Sequence, residues 1–149
     1  MALQSKLLQL LPPEYGYVIF AGVGNTFVNM WLAINVARAR KRYDIPLPIM
    51  YSAENGQFNC IQRAHQNAVE NSPQFLFVLM VAGLEYPKTS AVAGLIYLVG
   101  RIAFAQGYYT GTPGNHKYGC MISTVGMLAL VANTVCIAAR KLGICPCTR

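Results

Sequence analysis

Residues 118–139 read YGCMISTVGMLALVANTVCIAA, an apolar run without a charged side chain. A helix needs about 20 predominantly apolar residues to cross the hydrocarbon core of a bilayer, so this run predicts a membrane-spanning helix. Similar runs lie upstream, and together they predict four spans, at residues 15–37, 60–84, 89–109 and 118–140. The sequence therefore predicts an all-α integral membrane protein, a four-helix bundle of left-handed up-and-down topology that fills residues 1–149 as a single membrane domain.

The composition supports a membrane protein rather than a soluble one. Hydrophobic residues occupy 54% of the 149 positions and charged residues only 11%, with a mean hydropathy of +0.36. An ordinary soluble domain carries roughly a quarter of charged residues. So few charges cannot cover a surface that faces water. Four spans also use most of the chain, so no additional soluble module is expected.

The positive net charge, +7 with a pI near 9.3, is explained by where the basic residues lie. Arg38, Arg40, Lys41 and Arg42 directly follow the first predicted span, a position typical of basic residues beside a membrane segment. No basic face with interleaved aromatic residues occurs elsewhere, so a nucleic-acid partner is not expected. The following polar stretch, 38–59, is predicted to be a loop on the cytosolic side, and the first span an uncleaved anchor.

The five cysteines predict neither a disulfide framework nor a metal site. Their number is odd, they lack the spacing of zinc ligands, and the chain has only two histidines. Cys120 and Cys136 lie in the apolar fourth span, where a thiol usually packs in the core. Cys145 and Cys147 follow the basic end of that span and are predicted sites of S-acylation beside the membrane.

Two predicted spans carry charged residues that lipid would not tolerate. In the segment FNCIQRAHQNAVENSPQFLFVLMVAGL, residues 58–84, Arg63, Asn67 and Glu70 recur at the spacing of one helix face. In the third span, Arg101 lies near the middle, where contact of an arginine with lipid would cost about 2.5–3.5 kcal/mol. These side chains are therefore predicted to face the interior of the bundle.

The first span carries amides at a helical spacing. Asn25 and Asn29 are one turn apart, so they share a face that should contact protein rather than lipid. Polar residues in membrane helices usually join one helix to another, and this is the favoured interpretation here. Contact of the two amides with a substrate is the alternative.

Two interpretations of the charged residues in the second and third spans remain open. One is a structural salt-bridge network, for example between Glu70 and Arg101. The other is a polar site for a charged ligand, in which arginines bind carboxylates, a glutamate binds an ammonium group, and amides and phenols orient the molecule. The ligand site is favoured because more groups converge than an ion pair needs, namely Arg63, His65, Asn67, Glu70, Arg101 and Tyr108.

The same two spans carry a family resemblance. The segment RAHQN at 63–67, followed by Glu70 and Pro73, and the segment QGY at 106–108 resemble the membrane-associated glutathione transferases of eicosanoid and glutathione metabolism. RARKRY at 38–43 also matches, and the resemblance covers nearly the whole chain. It implies four-helix subunits assembled as a homotrimer in the endoplasmic reticulum membrane or the outer mitochondrial membrane.

The resemblance implies that glutathione is the substrate and that it binds between neighbouring subunits. Several arginines with one glutamate complement the two carboxylates and one ammonium group of glutathione. No metal is implied. The implied contacts are Arg63, Asn67, Glu70 and Tyr108 of one subunit with Arg40 and His65 of its neighbour, and Arg101 belongs to the same polar set.

The implied reactions are conjugation of glutathione to hydrophobic electrophiles, including a reaction like that of leukotriene C4 synthase, and reduction of lipid hydroperoxides. A free thiol has a pKa of about 8.5, so positive charge must stabilise its thiolate. Where the family commonly has an arginine beyond the third span, this chain has Asn115. Arg40, Lys117 and His116 are therefore the candidate catalytic residues.

Two other functions compete with the enzyme. The family also contains a non-catalytic lipid-binding scaffold, and the absence of the loop arginine favours that alternative. The presence of Arg63, Asn67 and Glu70 favours the enzyme. A channel or transporter subunit would be expected to have half-helices or a charged lining through the membrane centre, whereas the predicted spans are continuous.

Overall fold

The computed structural model describes residues 11–112 and 114–144, and these residues form helices and connections without a strand. The helices are α1 (Tyr15–Arg42), α2 (Gly56–Gly83), α3 (Pro87–Tyr109) and α4 (Lys117–Lys141). The predicted all-α fold of four helices is confirmed. Its left-handed topology and its assembly as a homotrimer stay predictions. The predicted acylation sites, Cys145 and Cys147, lie outside the described residues.

The connection between α1 and α2 is shorter than predicted, and the expected loop over residues 38–59 is wrong at both ends. The first helix continues through Arg42 because the basic side chains of its last turn interact favourably with the carbonyl end of the helix dipole. The second helix begins at Gly56 because the Asn55 side chain accepts a hydrogen bond of 2.9 Å from the Phe58 N–H. The connection is therefore confined to residues 43–55.

The helix surfaces fit a bilayer. By length and composition, α1, α3 and α4 are each apolar enough to cross a membrane. The remaining helix, α2, is equally long but has a polar N-terminal half. Large apolar side chains are exposed on the outside of all four helices, among them Phe20, Phe77, Val99, Met121 and Leu128. Such a surface suits hydrocarbon rather than water, which agrees with the predicted membrane fold.

The second and third helices form the centre of the bundle. Each of them packs against the three other helices, whereas α1 and α4 do not contact each other within the described residues. One apolar cluster surrounds Phe75 and Tyr97, whose rings stack with centroids 4.1 Å apart. A second apolar cluster surrounds Leu32 and Ala105. A layer of buried polar residues lies between these two clusters along the helices, because Asn25, Ser72 and Arg101 fall between their members in sequence.

Glycines bring α3 and α4 into backbone contact. A Cβ atom on Gly126 would lie 2.6 Å from the backbone nitrogen of Tyr97, and one on Gly100 would lie 2.6 Å from the Cα of Ser123. Real Cβ atoms do not approach other atoms so closely, so neither position accepts a side chain without displacement of the partner helix. Small residues allow membrane helices to pack at this distance. The two helices therefore form the most tightly packed pair, and they carry Arg101 and Ser123 towards α2.

Candidate functional site

The polar layer contains one cluster that joins α1 to α2. In this amide cluster, defined as Asn25, Asn29 and Ser72, the Ser72 hydroxyl accepts hydrogen bonds from the side-chain amides of Asn25 at 3.2 Å and Asn29 at 2.8 Å. The same hydroxyl donates to the Ala68 carbonyl oxygen at 2.9 Å. The predicted role of the two asparagines as a joint between helices is confirmed. One atom, Asn29 Oδ1, is buried without a hydrogen-bond partner in the described part of the chain.

A second cluster contains a buried cation. The Arg101 side chain is only 7% exposed, its Nη2 donates to Asn67 Oδ1 at 2.8 Å, and its guanidinium lies 4.6 Å from the centre of the Phe104 ring. Its Nε has no partner, and no carboxylate pairs with it, among residues 11–112 and 114–144. A buried charge without a counter-charge is costly. Arg101 is thus available for an anionic group.

The cluster also contains an ion pair, which lies on the surface of α2. Arg63 Nη1 and Glu70 Oε1 are 3.3 Å apart, and their side chains are 44% and 46% exposed. The alternative pairing of Glu70 with Arg101, offered as an example of a structural network, is therefore not the observed one. An exposed ion pair contributes about 1 kcal/mol or less to stability, so both groups can exchange partners at little cost.

A polar cavity of about 250 Å³ lies between α2, α3 and α4. Asn67 and Asn71 line it from α2, Arg101 from α3, and Cys120 and Ser123 from α4. The expectation that Cys120 packs in the core is wrong, because this thiol is exposed and borders the cavity. The contribution of α4 was missed because its sequence is so apolar. A helical spacing of three residues between Cys120 and Ser123 was the available signal.

An apolar groove continues from this cavity along α4. The groove has a volume of about 550 Å³, and Met121 and Val125 form much of its wall. It shares Cys120 and Thr124 with the polar cavity, so the two spaces meet at these residues. A charged molecule in the cavity and an apolar molecule in the groove would therefore be neighbours.

Two of the candidate catalytic residues, His116 and Lys117, line the end of the groove. The His116 ring lies 4.5 Å from the Tyr108 ring and 5.5 Å from the Phe104 ring, measured between centroids. Lys117 is exposed at the first position of α4. Asn115 is exposed as well, and its side chain donates to Thr110 Oγ1 at 3.0 Å. Tyr108, His116 and Lys117 are thus gathered where α3 gives way to α4.

The third candidate catalytic residue is not part of this group. Arg40 Nη1 donates to the Ile49 carbonyl oxygen at 2.7 Å, and its guanidinium lies 5.3 Å from the centre of the Phe58 ring. Arg40 therefore ties the 43–55 connection to the two helices that flank it. Among the described residues, no hydrogen bond or ion pair joins Arg40 or His65 to Arg63, Asn67, Glu70 or Arg101. A role of Arg40 and His65 across a subunit boundary stays a prediction.

These observations define a class: a multi-pass membrane helix bundle in which a cavity lined by a buried arginine meets an apolar groove. Within the described residues, no group of three or more His, Cys, Asp or Glu side chains is placed to hold a metal ion. The sequence of residues 18–138 matches the model of the MAPEG family, and the chain belongs to that family. The family resemblance seen in the motifs is thereby confirmed.

Three similar proteins show what the chain resembles. An uncharacterized protein of Synechocystis is 34% identical over 111 residues, which cover 74% of this chain and 79% of that protein. Microsomal glutathione S-transferase 2 of Homo sapiens is 33% identical over 79 residues, 52% of either chain. Leukotriene C4 synthase of Bos taurus is 33% identical over 82 residues, 54% of this chain and 53% of the synthase. The chain thus spans about half the length of these last two relatives.

Proposed function

We propose that this protein is a membrane-bound glutathione transferase that conjugates glutathione to hydrophobic electrophiles and reduces lipid hydroperoxides. One observation carries the proposal. Arg101 is a buried cation without a carboxylate partner among the described residues, in a cavity that meets an apolar groove. The cavity suits an anionic substrate and the groove an apolar one. The named activities of the two relatives, a glutathione transferase and leukotriene C4 synthase, support this assignment.

The charges of the site complement those of glutathione. Its two carboxylates would take the guanidinium groups of Arg101 and Arg63, and its ammonium group would take the Glu70 carboxylate. The Asn67 amide, already bonded to Arg101, would orient the ligand from the same helix face as Arg63 and Glu70. Because Arg63 and Glu70 are exposed in one subunit, a neighbouring subunit of a homotrimer would enclose the ligand from that side.

The chemistry would take place where the cavity meets the groove. The Tyr108 ring, which packs against His116, would bring its hydroxyl group to this place, and Lys117 or Arg40 of a neighbouring subunit would supply positive charge for the thiolate. In conjugation, the thiolate sulfur forms a bond to an electrophilic carbon, whose leaving group departs with the bonding electron pair. With a hydroperoxide, the sulfur takes the terminal oxygen and an alcohol is released. A second glutathione then converts the sulfenic product to the disulfide and water.

The finer assignments are also proposals. Within the family, we propose that this chain is of the microsomal glutathione S-transferase 3 type, on the motifs described above. The membrane would be that of the endoplasmic reticulum or the mitochondrial outer membrane. S-acylation of Cys145 and Cys147 would add a lipid anchor, and hydroxylamine-sensitive acyl exchange that persists when both residues are changed to serine would reject it.

Calorimetric titration of the detergent-purified protein with glutathione tests the binding step. Turnover with a lipid hydroperoxide and with an aromatic electrophile then tests the two reactions. A glutathione analogue with a methyl group in place of the thiol serves as the matched control, because it should bind with similar affinity and give no product. Failure to bind glutathione would reject the proposal. Binding without turnover would favour the scaffold alternative, which the exposed Asn115 at the expected cation position supports.

A further inference from the structure

A second polar concavity lies on the flank of the bundle that α1 forms, at the C-terminal end of this helix. This basic cleft has a volume of about 260 Å³ and is lined by Asn35, Arg38 and Arg42 from α1, by Gln57 from α2 and by Tyr109 from α3. It shares no lining residue with the polar cavity around Arg101. The cleft therefore is a separate site that the proposed glutathione chemistry does not use.

The cleft combines fixed walls with free positive charge. Asn35 Nδ2 donates to the Tyr109 hydroxyl at 3.3 Å, and Gln57 Nε2 donates to the Tyr109 carbonyl oxygen at 2.5 Å. Arg38 and Arg42 are one helical turn apart, so both reach into the same space. Both are exposed, and neither forms an ion pair with any residue of the described ranges. No acidic residue lines the cleft in the part of the chain that the structure describes.

An apolar groove lies between α1 and α3, towards the middle of the membrane. This α1–α3 groove has a volume of about 420 Å³ and is lined by Phe27, Val28 and Trp31 from α1 and by Ile102 and Gln106 from α3. Trp31 connects the groove to the cleft, because its ring centroid is 6.0 Å from that of Tyr109. The lining residues of α1 follow one helix face, in the order Val28, Trp31, Asn35, Arg38 and Arg42.

We infer that the basic cleft and the α1–α3 groove together bind one anionic phospholipid. The phosphate would lie between the guanidinium groups of Arg38 and Arg42, which match its oxygens in a fork geometry. An acyl chain would lie in the groove below it. Basic pockets between membrane helices on the cytoplasmic side are typical sites for acidic headgroups. A choline headgroup would bring its ammonium group beside two arginines without a carboxylate in the cleft, so a net negative headgroup is favoured.

Native mass spectrometry of the detergent-purified full chain tests the inference. The probes are phosphatidic acid, phosphatidylcholine of the same acyl composition, glycerol 3-phosphate and inorganic phosphate. Phosphatidic acid should be retained, and neither soluble anion should displace it at equal concentration. The double variant Arg38→Gln with Arg42→Gln should bind it about thirtyfold more weakly, the sum of two basic contacts near a membrane surface. Lys41→Gln, a change in the same turn but outside the cleft, is the matched control.

Three outcomes would overturn the inference. Equal losses in the Lys41→Gln variant and the double variant would show a diffuse electrostatic effect instead of a site. Displacement of the lipid by glycerol 3-phosphate or inorganic phosphate would show a site for free anions, and equal retention of phosphatidylcholine would show unspecific adhesion. If the double variant aggregates, Phe27→Ala provides the test instead. Loss of this exposed groove residue should weaken the binding of phosphatidic acid but leave the binding of inorganic phosphate unchanged.

Discussion

The bundle contains two polar clusters, and they differ in how far their groups are satisfied. In the amide cluster, one hydroxyl, that of Ser72, takes part in hydrogen bonds with two asparagines and a carbonyl oxygen. In the charged cluster, formed by Arg63, Asn67, Glu70 and Arg101, a buried guanidinium lacks a counter-charge within the described residues and an ion pair is half exposed. Polar residues in a membrane helix thus join helices where neighbours satisfy them, and indicate a ligand where charge is left unmatched.

The largest expected effect separates affinity from stability at Arg101. Arg101→Met should reduce glutathione affinity by about a hundredfold, because a charge-assisted hydrogen bond contributes about 1.5–3 kcal/mol. The thermal midpoint of the unliganded protein should stay the same or rise, since a buried charge without a counter-charge is replaced by an apolar side chain of similar length. Calorimetry and thermal unfolding in one detergent measure both quantities. A large loss of stability with unchanged affinity would assign Arg101 to the structural group.

The second prediction is the reverse case, in the amide cluster. Ser72→Ala should lower the free energy of unfolding by about 2 kcal/mol, because the buried Asn25 amide and the half-buried Asn29 amide lose their acceptor. Glutathione affinity should not change. Ser90→Ala is the matched control, since Ser90 is fully buried and its hydroxyl has no partner among the described residues. That variant should be neutral or slightly more stable, and equal losses in the two variants would contradict the assignment.

The third prediction concerns the exposed pair of the charged cluster. Arg63→Ala and Glu70→Ala should each weaken glutathione binding by about 1.5 kcal/mol, or roughly tenfold. Their effect on unfolding should be below about 1 kcal/mol, because an exposed ion pair contributes little. Titration calorimetry with thermal unfolding of the same samples tests this. Normal glutathione binding by both variants would show that Arg63 and Glu70 have a structural role and that their assignment to the site is wrong.

The smallest expected effect concerns the charge beside the thiolate. Asn115→Arg should raise turnover about threefold, since Asn115 is exposed and a charge there is screened by solvent. Arg40→Ala should lower the fraction of thiolate, followed by stopped-flow ultraviolet absorbance. Lys41→Ala is the control for general loss of charge in the same helix turn. Unchanged thiolate in the Arg40 variant and an unchanged rate in the Asn115 variant would show that activation does not depend on a nearby cation.

The sequence predicts the helices well but their ends less well. Apolar runs of about the bilayer thickness locate α1, α3 and α4, and a shorter apolar run after Pro73 locates the second half of α2. The cost of unpaired backbone groups in lipid leaves few alternatives to a helix for such runs. Helix ends depend on local chemistry that hydropathy ignores. The basic turn before Tyr43 extends α1, and the Asn55 side chain starts α2 earlier than its apolar pattern indicates.

The site was predicted one helix at a time, and its errors come from contacts between helices. Periodicity places Arg63, Asn67 and Glu70 on one face of α2, but it does not state how α2 is rotated relative to α3. In the structure, Asn67 accepts a hydrogen bond from Arg101, whereas Glu70 forms an ion pair with Arg63. Exposure of Cys120 was missed for the same reason, because an apolar helix sequence does not show which of its positions borders a cavity.

The backbone contact between α3 and α4 also restricts how the molecule can move. Two helices without room for a Cβ atom at Gly100 and Gly126 cannot slide or tilt independently, so they behave as one rigid frame. The remaining wall of the polar cavity is α2, which contains Pro73 and so lacks one backbone hydrogen bond near its middle. We therefore expect the N-terminal half of α2, which carries Arg63, Asn67 and Glu70, to move if the cavity widens for entry or release. The residues proposed to hold the ligand would in this way also control its passage.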